Sequence, residues 1–224
     1  MKCWIASVAT VGLIAGSSWA AGGTTYSDAT GDLFDNGFTN LDIFHVTVTN
    51  DEFNVHFTVT TSGFQSWTKY LFFFNTGSES TISNPWNRPI DIGSANPGGI
   101  NRFIGSWVDQ PSGNSQQWGF NGTDWNLDAT GDNDQSMIGS NKVTWSVSMA
   151  WLGVEIGETF WFDVATSGGG NDPGVDHLSR PDPATTGWGD PSVAGAFLAY
   201  TVVPTPGAVA LLAAAGLARS RRRG

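Results

Sequence analysis

Phe44-His45-Val46-Thr47-Val48-Thr49-Asn50-Asp51-Glu52-Phe53-Asn54-Val55-His56-Phe57-Thr58-Val59 decides the fold class. Apolar and polar residues alternate strictly on both sides of Asn50-Asp51-Glu52. A period of two puts one set of side chains on each face of a strand, so the stretch predicts a β-hairpin with one apolar face. A four-residue loop over 49–52 pairs Val48 with Phe53, Val46 with Val55 and Phe44 with Phe57. That register also sets His45 opposite His56 on the polar face, where directly paired Cβ atoms lie about 5 Å apart. Two such histidines suit a transition metal or, more simply, a solvated pair.

The same pattern extends along the chain, and residues 22–203 carry no long helical period. Residues 70–74 are apolar on both faces and predict a central strand. Residues 103–108 predict another. Trp118-Gly119-Phe120, Asn121-Gly122 and Trp125 predict a second hairpin around a type I′ turn. Val143, Trp145, Val147 and Met149 alternate, as do Phe160, Phe162 and Val164, and residues 197–202 close the series. The expectation is all-β: a single β-sandwich of jelly-roll type over residues 21–203.

Both ends read as processing segments. Met1-Lys2, an apolar run over 5–16 and Ser18-Trp19-Ala20 make a signal peptide over residues 1–20, with the cut after Ala20. At the other end Val203-Pro204-Thr205-Pro206-Gly207 leads into an apolar stretch over 208–218 and then Arg219-Ser220-Arg221-Arg222-Arg223. That stretch is shorter than the roughly 20 residues of a comfortable membrane span, and the arginines hold its end on the cytoplasmic side. The three-part pattern over 204–224 resembles the PEP-CTERM sorting signals of bacterial surface and matrix proteins, with Pro204-Thr205-Pro206 where the motif has Pro-Glu-Pro. The resemblance implies a hydrophobic sorting helix, transient anchoring in the inner membrane, and a processing enzyme of the exosortase type.

Charge narrows the function. The chain holds ten Lys and Arg against twenty Asp and Glu. Lys2 and the four tail arginines lie in the end segments, leaving five basic groups against twenty acids, a formal charge of −15. Such a field repels nucleic acid and anionic lipid and attracts cations. Cys3 is the only cysteine and leaves with the signal peptide. The remaining chain therefore has no disulfide, thiol catalysis or Cys-ligated zinc.

Acids crowd the loops as Asp28, Asp32 and Asp35; Asp128, Asp132 and Asp134; and Asp172 and Asp176. Clustered carboxylates with loop carbonyls suit calcium, which takes six to eight oxygens; Asp residues also cap turns on their own account. Asp132-Asn133-Asp134 opens like an EF-hand but lacks the later Gly and Glu. Gly168-Gly169-Gly170 lacks the Lys-Ser/Thr and the helix of a phosphate loop. No Ser carries a nucleophile elbow, and every acid sits in a turn-like context, so catalysis is not expected.

Asp28-Ala29-Thr30-Gly31-Asp32, then Leu41-Asp42-Ile43 entering the alternating hairpin, resembles the opening of DOMON-like and family-9-like carbohydrate-binding modules. Phe162-Asp163-Val164 running into Gly168-Gly169-Gly170, with Val175-Asp176-His177-Leu178-Ser179, is similar to their C-terminal part. The resemblance, over roughly 26–202, implies a non-catalytic sandwich holding calcium and binding sugars. With it, Asp28 and Asp32 are expected to meet Asp172 and Asp176 around calcium. Trp86 with Trp118 or Trp125 is expected to line a shallow groove for a polysaccharide or exopolymer, with Arg88 at its edge, since exposed aromatic faces stack on sugar rings. The rival expectation is a structural extracellular-matrix protein without a small ligand, marked by a flat apolar patch or an unprotected edge strand. The signal-peptide reading predicts a mature N-terminus at Ala21. Intact-mass measurement of the exported protein checks it, and retention of Cys3 would refute it.

Overall fold

Alternating apolar residues form sheets only if the apolar faces meet, and two sheets stacked face to face achieve this. The computed structural model describes residues 23–110 and 112–204. The predicted signal peptide over 1–20 and the sorting segment from residue 205 onward lie outside the described residues. In chain order the elements are β1 (Thr24–Ser27), β2 (Ile43–Asn50), β3 (Asn54–Thr61), β4 (Lys69–Asn75), β5 (Ile90–Asp91), β6 (Arg102–Trp107), β7 (Ser115–Phe120), β8 (Trp125–Gly131), β9 (Lys142–Ser148), a one-turn helix α1 (Met149–Leu152), β10 (Thr159–Ser167), β11 (Asp176–His177), β12 (Ser192–Val193) and β13 (Leu198–Thr201). One antiparallel sheet has the order β1-β2-β3-β9. The other runs β11-β10-β4-β6-β7-β8, with β13 sharing the outer edge of β10 with β11. A short parallel pair joins β12 to β5.

The two sheets close over one aromatic core. Val46, Val48, Val55, Phe57 and Trp145 from the smaller sheet meet Tyr70, Phe72, Phe74, Phe160 and Phe162 from the larger. Phe57 sits at its centre, fully buried, with its ring edge-on to Phe72, Phe74 and Phe162 at centroid separations of 5.4–5.7 Å. The opposite face of the larger sheet is covered as well. Leu71, Phe73, Phe103 and Ala165 pack there under Ile90, Ile92, Ile100, Ala194 and Phe197. This second layer explains why residues 70–74 are apolar on both faces: β4 lies between β10 and β6 with a core on either side.

The first hairpin forms, but not in the expected register. Val48 faces Phe57 and Val46 faces Val59, a slide of four residues along β3. Two local interactions set it. Asp51 caps the turn: its Oδ1 accepts from the backbone N–H of Phe53 (2.7 Å) and of Asn54 (2.8 Å). Asn50 stays in the strand because its Oδ1 accepts from Tyr200 Oη (2.8 Å) and Val203 N (3.0 Å). An even slide keeps every side chain on its face, so both histidines still point outward. They are not opposite each other, however. His45 faces Thr60 and His56 faces Thr49, and His56 bonds Ser146 Oγ and Asp51 Oδ2.

Two further expectations are corrected. Phe44 is not on the apolar face: a bulge between Ile43 and His45 expels it, and Ile43 takes the inner position. The second hairpin turns with positive φ at Gly122 (95°) and not at Asn121 or Thr123, the II′ pattern. The Asn121 side chain accepts from Thr123 N and Asp124 N instead of its backbone entering the left-handed region. Phe57→Ala is expected to cost about 3–5 kcal/mol, whereas Phe44→Ala stays within about 0.5 kcal/mol; urea unfolding of the two variants checks both.

Candidate metal centre and tryptophan face

Three carboxylates from distant parts of the chain converge at one end of the sandwich. Asp28 follows β1 and is held there by its N–H on Phe44 O (3.1 Å). Gly31, with φ 74°, turns the chain sharply enough to bring Asp32 back toward Asp28; the Gly31 N–H is fixed by Asp42 Oδ1 (3.1 Å). Asp176 opens β11, its Oδ2 accepting from Ile43 N (2.6 Å) and its Oδ1 from His177 N (2.8 Å). One carboxylate oxygen each from Asp28, Asp32 and Asp176 lies within 4.8 Å of the others, an arrangement that can hold a metal ion.

The centre is electrostatically unsatisfied. Asp28 Oδ2 and both oxygens of Asp32 are buried and have no hydrogen-bond partner among the described residues. Burial, and then the neighbouring Asp32 charge, push the Asp28 carboxyl up to about 8. Burial raises Asp32 too, with Asp42 adding to it. Asp176 is raised well above the ordinary carboxylate range, first by burial and then by Asp28. Carboxylates turned inward with no donor fit a hard cation, which prefers oxygen ligands and supplies the charge that hydrogen bonds do not. Asp172 is not part of this cluster. Its carbonyl accepts from Arg88 Nη1 (2.9 Å), and its carboxylate lies against Gly168, where a Cβ would collide with it.

Beside the triad lies a set that no spacing in the sequence marks. His177 Nδ1 contacts Asp163 Oδ2 at 2.6 Å, and His177 Nε2 lies 3.3 Å from Ser192 Oγ. The order Asp-His-Ser is that of a hydrolytic triad, but all three side chains are fully buried. Asp163 Oδ1 is occupied by Val164 N and Ser179 N, and Ser192 Oγ by Gly174 N. The set ties β10, β11 and β12 together.

The tryptophans singled out from the sequence lie against the outer core of the larger sheet, each partly buried. Trp86 and Trp118 share one acceptor: both indole N–H groups point at Gln116 Oε1, at 2.8 and 3.3 Å. The Trp86 ring lies flat over Gly105, where any Cβ would strike it, and stacks near Trp107 at 6.2 Å. Trp125 bonds Ser83 Oγ (3.3 Å) and packs on Phe120. Arg88 departs from expectation. It is buried rather than at an open edge, with its guanidinium 5.3 Å from the Trp86 ring and Nη1 on Ser167 Oγ (2.9 Å).

No protein-family model matches the chain, and neither does any curated protein.

The raised carboxyls make stability depend on pH. Asp28 ionises at its ordinary 3.8 when unfolded and near 8 when folded, so between those values the folded chain binds more protons. Without a cation, its contribution is therefore full below about pH 4 and is lost as pH rises through about 8. Urea unfolding in EDTA is expected to show stability falling over that range, with a shallower fall in Asp28→Asn.

Proposed function

We propose that this chain is an exported, non-catalytic surface or matrix protein: a jelly-roll β-sandwich stabilised by calcium that binds polysaccharide or exopolymer. The observation that carries the reading is the triad Asp28, Asp32 and Asp176, in which Asp28 Oδ2 and both oxygens of Asp32 are buried without a partner among the described residues. Calcium satisfies such oxygens and tolerates irregular geometry, whereas magnesium demands a near-octahedral set. Calcium's usual six to eight oxygens would require ligands beyond these three carboxylates. The strong acidity of the chain supports a cation as ligand.

Sugar binding draws its support from the outer face of the larger sheet. Trp86 and Trp118 are anchored by their N–H groups on Gln116 while their rings stay partly exposed. Rigid aromatic faces of this kind stack on the apolar faces of sugar rings at little entropic cost. Arg88 stiffens Trp86 from beneath. The sorting tail, cut by an exosortase-type enzyme after transient anchoring in the inner membrane, would deliver the module to the cell surface or matrix.

Self-assembly without a small ligand finds less support. The obvious edge is β8, whose residues 126–130 are exposed. Yet β8 carries a register shift opposite Gln117 and Trp118, with Asp128 as the extra residue. A bulge and a charge are the usual devices that stop an edge from pairing with another chain.

The test combines melting and glycan-array binding. Millimolar calcium is expected to raise the melting temperature, EDTA to lower it, and Asp32→Ala to abolish the shift; a ligand at 100 times its Kd adds about 2.7 kcal/mol. Trp118→Ala is expected to remove glycan binding with the melting temperature changed by only a few degrees. A calcium-insensitive melting temperature would end the calcium reading, and glycan binding that survives Trp118→Ala would end the placement of the sugar.

A further inference from the structure

At the end of the sandwich remote from the acidic centre, no described residue covers an apolar pocket beside the first hairpin. It holds about 500 Å³ and is lined by Phe53, Met149, Val154 and Ile156, with Glu52 and Glu155 on its rim. Phe53 at the hairpin tip is 68% exposed and Ile156 is 43% exposed. Large apolar side chains gathered around a concavity mark a surface that something covers.

The chain leaves the domain at this place. Gly157 N donates to Val202 O (2.8 Å) and Val202 N to Glu158 O (2.9 Å), while Asn50 Nδ2 donates to Val203 O (2.9 Å). Pro204 therefore emerges between the turn that carries Phe53 and the turn that carries Glu155 and Ile156, which are the two walls of the pocket. The apolar run of the sequence begins at Ala208, only four residues on, a reach of roughly 13 Å when extended. After it come Arg219, Arg221, Arg222 and Arg223, opposite in charge to Glu52, Glu155 and Glu158.

We propose that this pocket docks the chain's own tail, with residues 208–218 covering Phe53, Met149 and Ile156 and the arginines lying against the glutamates. Apolar area matches apolar area, the charges are complementary, and a short tether gives an effective concentration in the millimolar range. The rim acids disfavour the other apolar occupant, an anionic lipid surface. Docking would shelter the apolar segment until it is handed to the membrane. The docking itself requires neither calcium nor a glycan; only the hand-over to the membrane rests on the sorting reading above.

The test uses the full chain, purified without detergent or lipid, carrying a photo-crosslinking benzophenone amino acid at Leu211. Mass spectrometry is expected to place adducts within the same chain on peptides containing Phe53 or residues 149–156. Ile156→Asp, at an exposed position that leaves folding intact, should lower their yield at least threefold. So should replacing the four arginines by Glu. Adducts scattered over the domain, adducts only between chains, no adducts at all, or a yield unchanged in both variants would each overturn the proposal.

Discussion

Mutual repulsion among Asp28, Asp32 and Asp176 is the constraint around which this end of the molecule is organised. Three carboxylate oxygens within 4.8 Å of one another repel, if all are ionised, by at least about 3.5 kcal/mol per pair at an effective dielectric constant of about 20. Among the described residues Asp28 Oδ2 and both oxygens of Asp32 have no donor, while each oxygen of Asp176 has one. Either protons or a cation must enter. The raised carboxyl of Asp28 and the cation-holding geometry are thus two consequences of one arrangement.

That arrangement also links the sheets. Asp28 and Asp32 hang from the β1–β2 side of the smaller sheet, while Asp176 belongs to β11 on the edge of the larger one. Asp176 takes the N–H of Ile43 at the start of β2, and Thr166 of β10 donates to Leu41 O. The opposite end is closed differently, by neutral bonds. Asn50 holds Tyr200 and Val203, and Tyr26 Oη donates to Ala199 O at 2.6 Å. Across the two sheets that end is therefore joined by neutral hydrogen bonds, whereas the other joins them through carboxylates that a proton or an ion can reach. A cation would lock the sensitive end.

Periodicity made the strands legible. The unbroken apolar run over 70–74 announced a strand buried on both faces, which β4 is. Register and pairing were less legible, because they are decided by side-chain caps such as Asp51 and by contacts of long range such as Asn50 with Tyr200. The pentapeptide Asp-Ala-Thr-Gly-Asp makes the point most sharply. At 28–32 it is a turn with Gly31 at φ 74°; at 128–132 its first four residues lie in β8, paired with β7. Identical local chemistry takes two conformations because tertiary partners differ. The same limit explains the site. Clustered loop acids marked Asp28, Asp32 and Asp176, but nothing local told Asp176 from Asp172 four residues earlier. Arg88, expected at an open edge, is buried against Ser167 and the Trp86 ring, contacts that no local pattern encodes. The pairing of Asp163 with His177 depends on strands β10 and β11 meeting, which no spacing rule encodes.

The triad can hold a cation, and we propose that it stays partly protonated until the ion arrives. Calorimetric titration of the metal-free protein with calcium at pH 7, repeated in buffers of different ionisation enthalpy, tests it directly. The account predicts one ion per chain and a binding heat that varies with the buffer, because the ion displaces the proton from Asp28. It also predicts loss of that binding in Asp176→Asn. No binding, binding without proton release, or binding unchanged in Asp176→Asn would contradict it.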